Sequence, residues 1–196
     1  MTDYDVMPII TKIVDMAGKL HDETNQKYDD KPYSYHTTGV AHNAMRYVHQ
    51  ITDDTMLKVA IVFGAAFHDS IEDARQTYND VMKIARTFMP DEYAFIATEI
   101  VYACTNEKGR NRDERANDKY YEGIRTTPYA SFVKLCDRLF NMTYSKNSGS
   151  RMFKKYCEEN AHFLHQVLAS PDECDGDYNQ FKVPDAIIDD LEKLME

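Results

Sequence analysis

The residues best suited to chemistry are polar side chains placed within the most apolar parts of the sequence. His68 and Asp69 end one apolar run, and Asp137 lies inside a second one, FVKLCDRLF. An aspartate is almost never buried without a partner, because its carboxylate would lose its hydration without replacement. We therefore expect each carboxylate to bind a metal ion or a charged group. For Asp137 the alternatives are an ion pair with Arg138 and a helix cap.

A histidine nitrogen combined with carboxylate oxygens is a ligand set that suits Mn²⁺, Fe²⁺ or Zn²⁺. One further histidine would complete such a set. We prefer His36, because it follows a loop with Pro and Tyr at a helix entry, where its side chain can point toward a neighbouring helix. The remaining histidines are predicted to lie at the surface or around the site without binding the ion: His21, His42, His49, His162 and His165.

Two acidic residues follow the HD pair closely. On a continuing helix, Glu72 lies four residues after His68 and Asp73 lies four after Asp69, which places them on the same face. Carboxylates near a metal ion but not bound to it are suited to orienting a water molecule and moving its proton. The alternative is an acidic helix terminus, where the charges would oppose the helix dipole.

Helices are predicted to position all of these side chains. Apolar spacing and capping signals predict helices over residues 7–21, 36–50, 55–69, 77–88, 91–104, 110–125, 127–142, 150–169 and 184–195. The third helix, capped by Asp53 or Asp54, is apolar around its whole axis and is predicted to be central. Thr127 and Pro128 are predicted to open the helix that carries Asp137. Because strand-like alternation is absent, we predict an all-α helical bundle.

The composition supports one helical domain over residues 1–196. The chain is 43% hydrophobic and 29% charged, which excludes a disordered polymer, and its 7 Gly and 6 Pro are too few for a sandwich of short strands. The four cysteines form no CxxC pair and are predicted to be reduced core thiols. The start, MTDYDVMPII, does not resemble a signal peptide, and no run of 18 apolar residues occurs. We therefore expect a cytoplasmic protein that does not bind a membrane.

The charge is strongly negative and unevenly distributed. A formal charge of −10 disfavours sequence-independent binding of nucleic acid. From Glu158 onward the chain has 11 acidic and 2 basic residues, whereas 12 basic and 6 acidic residues lie between Thr105 and Lys155. That basic segment is suited to an anionic small molecule; the alternative is a solvated helix face.

Three segments carry a resemblance to a known family: His36, HDSIED from His68, and VKLCDRLFNM from Val133. They resemble the HD-superfamily hydrolase domain of the RelA/SpoT group and its small stand-alone members, the Mesh1-like alarmone hydrolases. AGKLHDETNQKYDDKPYSYH resembles the opening segment of this family, and CTNEKGRNRDER resembles its charged stretch. The resemblance covers roughly residues 6–145, and C-terminal helices over 150–196 follow. The ED pair together with KLxDRLxNM is much more specific than HD alone.

The resemblance implies one Mn²⁺, with Fe²⁺ or Zn²⁺ as alternatives, and a set of functional residues. The implied metal ligands are His36, His68, Asp69 and Asp137, the catalytic acidic pair is Glu72 and Asp73, and the substrate-binding residues are Lys27 and Asn141. From the basic segment we add Arg112 and Arg115 as groups that offset the substrate's charge. Three features depart from the family pattern, one of them the loss of the glycine that usually follows the two basic positions. Tyr28 stands at the second of two basic positions that hold the guanine base, and Thr37 replaces a proline.

The expected activity is therefore that of a metal-dependent nucleotide phosphohydrolase. The first hypothesis is removal of the 3′ pyrophosphate from (p)ppGpp. Because of Tyr28, the alternatives of an NADPH phosphatase or a deoxynucleotide hydrolase at the same site stay open. A third hypothesis is a nucleotide-sensing module without turnover, with the helix from Pro184 to Met195 as a docking surface. The expected partner is a small nucleotide, and the oligomeric state is open.

Overall fold

Helices account for most of the part of the chain that the structure describes. The structure is a computed structural model that describes residues 3–106, 110–174 and 177–196, without the side chains of residues 3–5, 112 and 113. The α-helices are α1 (Asp3–Glu23), α2 (Ser34–Tyr47), α3 (Thr55–Phe67), α4 (Ser70–Asp73), α5 (Tyr78–Ala85), α6 (Asp91–Cys104), α7 (Arg112–Arg115), α8 (Asp118–Thr126), α9 (Ala130–Asn147), α10 (Met152–Val167) and α11 (Asp185–Met195). Short 3₁₀ helices cover Val48–Gln50, Pro171–Glu173 and Tyr178–Gln180. The predicted all-α fold is confirmed.

A small hairpin between α1 and α2 is a departure from helix that bears on the site. Strands β1 (Lys27–Tyr28) and β2 (Lys31–Pro32) pair antiparallel, with Lys27 opposite Pro32 and Tyr28 opposite Lys31. Strands of two residues are too short to produce an alternating pattern, so the sequence predicted only a polar connection here.

Helix α3 forms the centre of the bundle, as predicted. Its N-cap Asp54 accepts hydrogen bonds from the backbone N–H groups of Met56 and Leu57, and every residue from Val59 to Phe67 is buried. The helix packs against α1, α2, α6 and α9. A helix that is apolar on all sides is stable in water only when neighbours surround it, and the four packed helices provide that cover.

Helix α9 begins later than predicted. Tyr129 has a left-handed backbone conformation, with φ of 66°, and its N–H donates to the Gln180 carbonyl at 2.9 Å. Thr127 and Pro128 therefore lie in the turn before the helix and do not open it. The predicted helix over 110–125 is also divided, because the Asn117 side chain accepts from the Tyr120 N–H and starts a new helix, α8.

The C-terminal helices pack against the helices that precede them. Helix α10 packs on α8 and α9, and α11 packs on α9. Asp190 of α11 accepts from the Tyr47 hydroxyl at 2.5 Å and lies 2.7 Å from an Arg46 guanidinium nitrogen. These contacts join the acidic end of the chain to α2.

The cysteines and the membrane prediction can be checked directly. The four cysteines form no disulfide. Cys104 and Cys136 are buried as predicted, and Cys157 is half-buried against the core, whereas Cys174 is half-buried and its thiol donates to the Ser170 carbonyl, so the prediction of a core position is wrong for Cys174. Among the described helices none combines the length and the apolar character needed to cross a bilayer.

The close approach of α3 to α6 gives a test of the packing. A Cβ at Gly64 would lie 2.6 Å from Ile100 Cγ2, so we expect Gly64→Ala to lower the free energy of unfolding by about 1–3 kcal/mol. At Gly123 of α8 such a Cβ would have no neighbouring atom within 4 Å. Gly123→Ala should therefore raise the free energy of unfolding by about 0.5–1 kcal/mol, because alanine has the higher helix propensity. Urea unfolding measures both, and a Gly64→Ala protein as stable as the parent would contradict the packing.

Candidate metal centre

A break in the helix places the HD pair. Helix α3 ends at Phe67, Asp69 has a non-helical backbone with φ of −99° and ψ of 1°, and α4 starts at Ser70. The predicted continuous helix through Asp73 is therefore wrong. Consecutive residues of a regular helix do not face one point, whereas the break lets His68 and Asp69 contribute to one cluster.

Four side chains from three parts of the chain meet at this break. The Nε2 atoms of His36 and His68 lie 3.2 Å apart. Asp69 Oδ2 lies 3.4 and 3.0 Å from these two nitrogens, and Asp137 Oδ1 lies 3.5 and 3.7 Å from them. His36 comes from α2 and Asp137 from α9, and both are buried. The structure thus brings together all four side chains that the resemblance implied as ligands.

The geometry and the donor set fit one divalent cation. Ligand atoms about 2.0–2.2 Å from a common ion lie roughly 3.0–3.5 Å from one another. His36, His68 and Asp69 each offer an atom within 4.8 Å of the others. His68 Nδ1 lies 2.9 Å from the Ala65 carbonyl, which can only accept, so Nδ1 carries the proton and Nε2 is available to an ion.

The charges of the cluster are balanced by protons and by one lysine. Burial lowers the pKa of His68, but the carboxylates of Asp69 and Asp137 outweigh it and raise that pKa to about 9. Burial acts to raise the pKa of Asp69, and the adjacent histidines hold it well below its ordinary value. The pKa of Asp137 is likewise lowered despite burial, mainly because of the Lys134 ammonium. A divalent cation can take the place of the proton on His68.

Asp137 is held by two neighbours on its own helix. Its Oδ2 lies 2.9 Å from Lys134 Nζ, and its Oδ1 accepts from Asn141 Nδ2 at 2.5 Å. The ion pair seen for Asp137 is thus with Lys134, while the expected alternative, Arg138, donates to the Tyr156 carbonyl. Sequence reasoning missed Lys134, although its spacing of three residues from Asp137 was a readable signal.

Tyr33 connects the cluster to Asp73, one of the two acidic residues considered for proton transfer. Its hydroxyl donates to Asp69 Oδ2 at 2.5 Å and also lies 3.3 Å from Asp73 Oδ2. Burial and the negative charges of Asp69 and Glu72 raise the pKa of Asp73. A carboxyl group with a raised pKa beside the cluster is suited to accepting a proton near neutral pH.

Glu72 has different surroundings. Its Oε2 accepts from Asn106 Nδ2 at 2.7 Å, and its Oε1 lies 3.3 Å from Arg115 Nη1. The predicted Arg115 is therefore at the site and pairs with Glu72. The side chain of Arg112 lies outside the described residues. Sequence reasoning missed Asn106, which has no signal beyond its place in the charged segment.

The two residues of β1 have different surroundings. The predicted substrate-binding residue Lys27 faces solvent, whereas Tyr28 contacts the cluster, which the sequence did not predict. Lys27 is exposed on β1. Tyr28 stacks on the His36 ring, with centroids 4.8 Å apart and 10° between planes, and its hydroxyl donates to Asn141 Oδ1 at 2.6 Å. Both polar ends of the Asn141 side chain are thus engaged by protein groups, and its contact with a nucleotide stays a prediction.

The remaining histidines lie where the sequence predicted. His42, His49, His162 and His165 are exposed. His21 is fully buried beside the cluster and stacks on Tyr33 with centroids 4.4 Å apart. Burial lowers the pKa of His21 to about 4, so it is neutral at physiological pH.

Two concave regions flank the centre. A cavity of about 110 Å³ lies against Asp137 and is lined by Asn106, Tyr120, Lys134 and Asn141 among others. A larger apolar groove of about 550 Å³ runs between the hairpin, α2 and α9, and includes none of the four cluster residues. The smaller, polar cavity is the one suited to a phosphoryl group beside the cluster.

Comparisons with known proteins give similar chains that share one name. The chain is 26% identical over 137 residues to the guanosine-3′,5′-bis(diphosphate) 3′-pyrophosphohydrolase MESH1 of Danio rerio, covering 68% of this chain and 67% of that protein. It is 27% identical over 135 residues to the protein of the same name from Xenopus tropicalis, covering 68% of each chain. With the one from Homo sapiens it shares 25% identity over 134 residues, 68% of this chain and 67% of that protein. No family profile matches the chain, and no solved structure matches it significantly.

The proton on His68 makes metal affinity depend on pH. Because the pKa of His68 is about 9, an ion must displace this proton below that pH, and we expect Mn²⁺ affinity to rise by up to about tenfold per pH unit between pH 6 and 9. Calorimetric titration in buffers of different ionisation enthalpy measures both the affinity and the released proton. His49→Ala, at an exposed position, is the control and should keep the same profile. An affinity that does not change over this range would contradict the proposed displacement.

Proposed function

We propose that this chain, which is similar to the MESH1 proteins, hydrolyses guanosine-3′,5′-bis(diphosphate) and its pentaphosphate analogue at the 3′ position as a Mesh1-like HD-domain protein and releases pyrophosphate. The observation that carries this proposal is the meeting of His36, His68, Asp69 and Asp137: the two histidine Nε2 atoms lie 3.2 Å apart, and each lies 3.0–3.7 Å from an oxygen of either carboxylate. Relatives named for this reaction support the choice of substrate. We also infer that residues 1–196 act as one hydrolase domain, because α10 and α11 pack on the helix that carries Asp137. A cytoplasmic location is part of the same proposal.

We propose Mn²⁺ as the ion that the four side chains hold; Fe²⁺ and Zn²⁺ suit the same mixture of nitrogen and oxygen donors. When bound, such an ion supplies Lewis acidity at a phosphoryl oxygen and lowers the pKa of water from about 15.7 toward about 7. The protein contributes the fixed geometry of the ligands and the groups that move protons around them.

Asp73 and Glu72 have different roles in the proposed reaction. Asp73 lies beside Asp69 through the shared Tyr33 hydroxyl, and its raised pKa suits it to take a proton from the attacking water. Glu72 accepts hydrogen bonds from both Arg115 and Asn106 and so holds these two side chains beside Asp73. In the reaction the water oxygen bonds to phosphorus, the bond from phosphorus to the 3′ oxygen breaks, and a proton passes to that oxygen.

Local positive charge allows a polyphosphate to approach a protein whose formal charge is −10. Lys134 lines the cavity of about 110 Å³ beside Asp137, and Arg115 lies 3.3 Å from Glu72, whose partner Asn106 lines the same cavity. Both cations can offset charge on phosphoryl oxygens. Lys27, exposed on the hairpin, is the one basic residue of the pair implied by the resemblance that is present to contact a base.

The reaction is tested with purified protein loaded with Mn²⁺ and offered ppGpp, pppGpp, NADPH and a panel of deoxynucleotides. Released phosphate and pyrophosphate are separated by ion chromatography. We expect pyrophosphate from ppGpp and pppGpp. Phosphate from NADPH alone, or hydrolysis of deoxynucleotides alone, would contradict the proposed substrate, and a metal-loaded protein without any turnover would contradict the enzyme.

Substitutions separate metal binding from proton transfer. Asp137→Ala removes a ligand and should weaken Mn²⁺ binding by more than about 100-fold. Glu72→Gln and Asp73→Asn should bind Mn²⁺ as the parent does and lose about 10²–10⁴ in kcat. Asp189→Asn, at an exposed position on α11, is the matched control and should change neither. If Asp73→Asn kept its full kcat, the assignment of the proton to Asp73 would be wrong.

A further inference from the structure

Tyr28 of the hairpin packs directly against residues of the candidate metal centre. It is partly buried, and four aromatic rings surround it: those of Tyr33, His36, Phe140 and Tyr144. Its ring lies parallel to one candidate metal ligand, and its hydroxyl reaches the side chain that supports another. These two contacts act on the centre in different ways.

The Tyr28 hydroxyl holds the Asn141 side chain in place. Tyr28 donates to Asn141 Oδ1 at 2.6 Å, and Asn141 Nδ2 donates to Asp137 Oδ1 at 2.5 Å. If the amide were turned around, its oxygen would face the Asp137 carboxylate, which accepts hydrogen bonds and cannot donate one when ionised. The Asp137 carboxylate therefore selects the orientation of the Asn141 amide, and the tyrosine hydroxyl, by donating to the amide oxygen, holds Asn141 in it.

The oxygen reached by this chain of hydrogen bonds is the one that faces the histidines. Asp137 Oδ1 lies 3.5 Å from His36 Nε2 and 3.7 Å from His68 Nε2, whereas Oδ2 points to Lys134. A hydrogen bond to the ligating oxygen of a carboxylate fixes its position and tunes its basicity. Tyr28 thus acts on the candidate ligand atom through Asn141.

The ring controls the plane of His36. The two histidines differ in how they are oriented: His68 Nδ1 donates to the Ala65 carbonyl, whereas the buried Nδ1 of His36 has no hydrogen-bond partner among the described residues. A histidine ligand is ordinarily oriented by a hydrogen bond from its other nitrogen. For His36 the parallel Tyr28 ring, 4.8 Å away, provides the orientation that such a bond would give.

We propose that Tyr28 is a positioning residue for the metal centre, which fixes the ring plane of His36 and, through Asn141, the ligating oxygen of Asp137. The inference rests on the metal site of the proposed function. It gives the tyrosine at this position a task that differs from holding a base, since both its ring and its hydroxyl are engaged by the centre.

The test compares three variants by calorimetric titration with Mn²⁺. Tyr28→Phe keeps the ring and removes the hydroxyl, and we expect its dissociation constant for Mn²⁺ to rise about tenfold. Tyr28→Leu removes both contacts and should raise it further. Tyr35→Phe is the matched control, because Tyr35 belongs to the same aromatic group, packs on Phe140 and Tyr144, and is 45% exposed. It should bind Mn²⁺ as the parent does.

A spectroscopic measurement separates positioning from a general loss of stability. The electron paramagnetic resonance spectrum of bound Mn²⁺ reports the symmetry of its ligands, so Tyr28→Phe should show altered zero-field splitting, whereas Tyr35→Phe should not. If Tyr28→Leu fails to fold, as judged by circular dichroism, the nearly isosteric Tyr28→Phe still decides the question. Unchanged affinity and an unchanged spectrum for Tyr28→Phe would overturn the inference.

Failure of this inference and failure of the proposed function give different results. A parent protein that binds Mn²⁺ but does not hydrolyse ppGpp, together with a weakened Tyr28→Phe, would support the positioning role and contradict the substrate. A parent that hydrolyses ppGpp, together with a Tyr28→Phe protein of equal Mn²⁺ affinity and spectrum, would support the function and overturn the role of Tyr28.

Discussion

The neutralisation of two carboxylates, one buried at Asp137 and one half-buried at Asp69, is the constraint on which the rest of the structure depends. Asp69 and Asp137 stay ionised among buried groups, and each does so because positive charge and hydrogen-bond donors converge on it. Those groups come from α2, the break after α3, and α9, so the three helices must cross at one point. The central position of α3 and its wholly apolar packing against α2 and α9 hold that crossing in place. A fold that kept the helices but moved this point would leave two charges without compensation.

Much of the fold and the identity of the cluster could be predicted because they follow from local chemistry. Helix α3 was recognisable from apolar residues around its axis and an aspartate cap, and Asp137 stood out as an acid within an apolar run. His36 was less determined by the residues themselves, since several histidines were available; its place at a helix entry favoured it, and the family resemblance then agreed. The structure places it within 3.2 Å of His68. The acidic pair was identified on the assumption of a continuous helix, which is wrong.

What could not be predicted depends on contacts between distant parts of the chain. The break at Asp69 has no local signal, because the Asp69 side chain is held by Tyr33 and His36, which come from the start of α2. Likewise, the left-handed turn at Tyr129 depends on the Gln180 carbonyl, which lies far along the chain. The packing of Tyr28 on His36 requires a hairpin whose strands are two residues long, too short for any periodicity. In each case a tertiary contact decides a local conformation.

The separation of the cluster residues along the chain has a consequence for the lifetime of the protein. His36 and Asp137 lie on α2 and α9, and the chain between them includes the central helix α3. An ion held by both ends acts as a reversible cross-link that only the folded chain can form, and at a hundredfold excess over its dissociation constant it would add about 2.7 kcal/mol to the stability. Scarcity of the ion would therefore do more than slow turnover. It would raise the fraction of unfolded chains open to proteases, so that cellular metal supply would set how much of this protein persists.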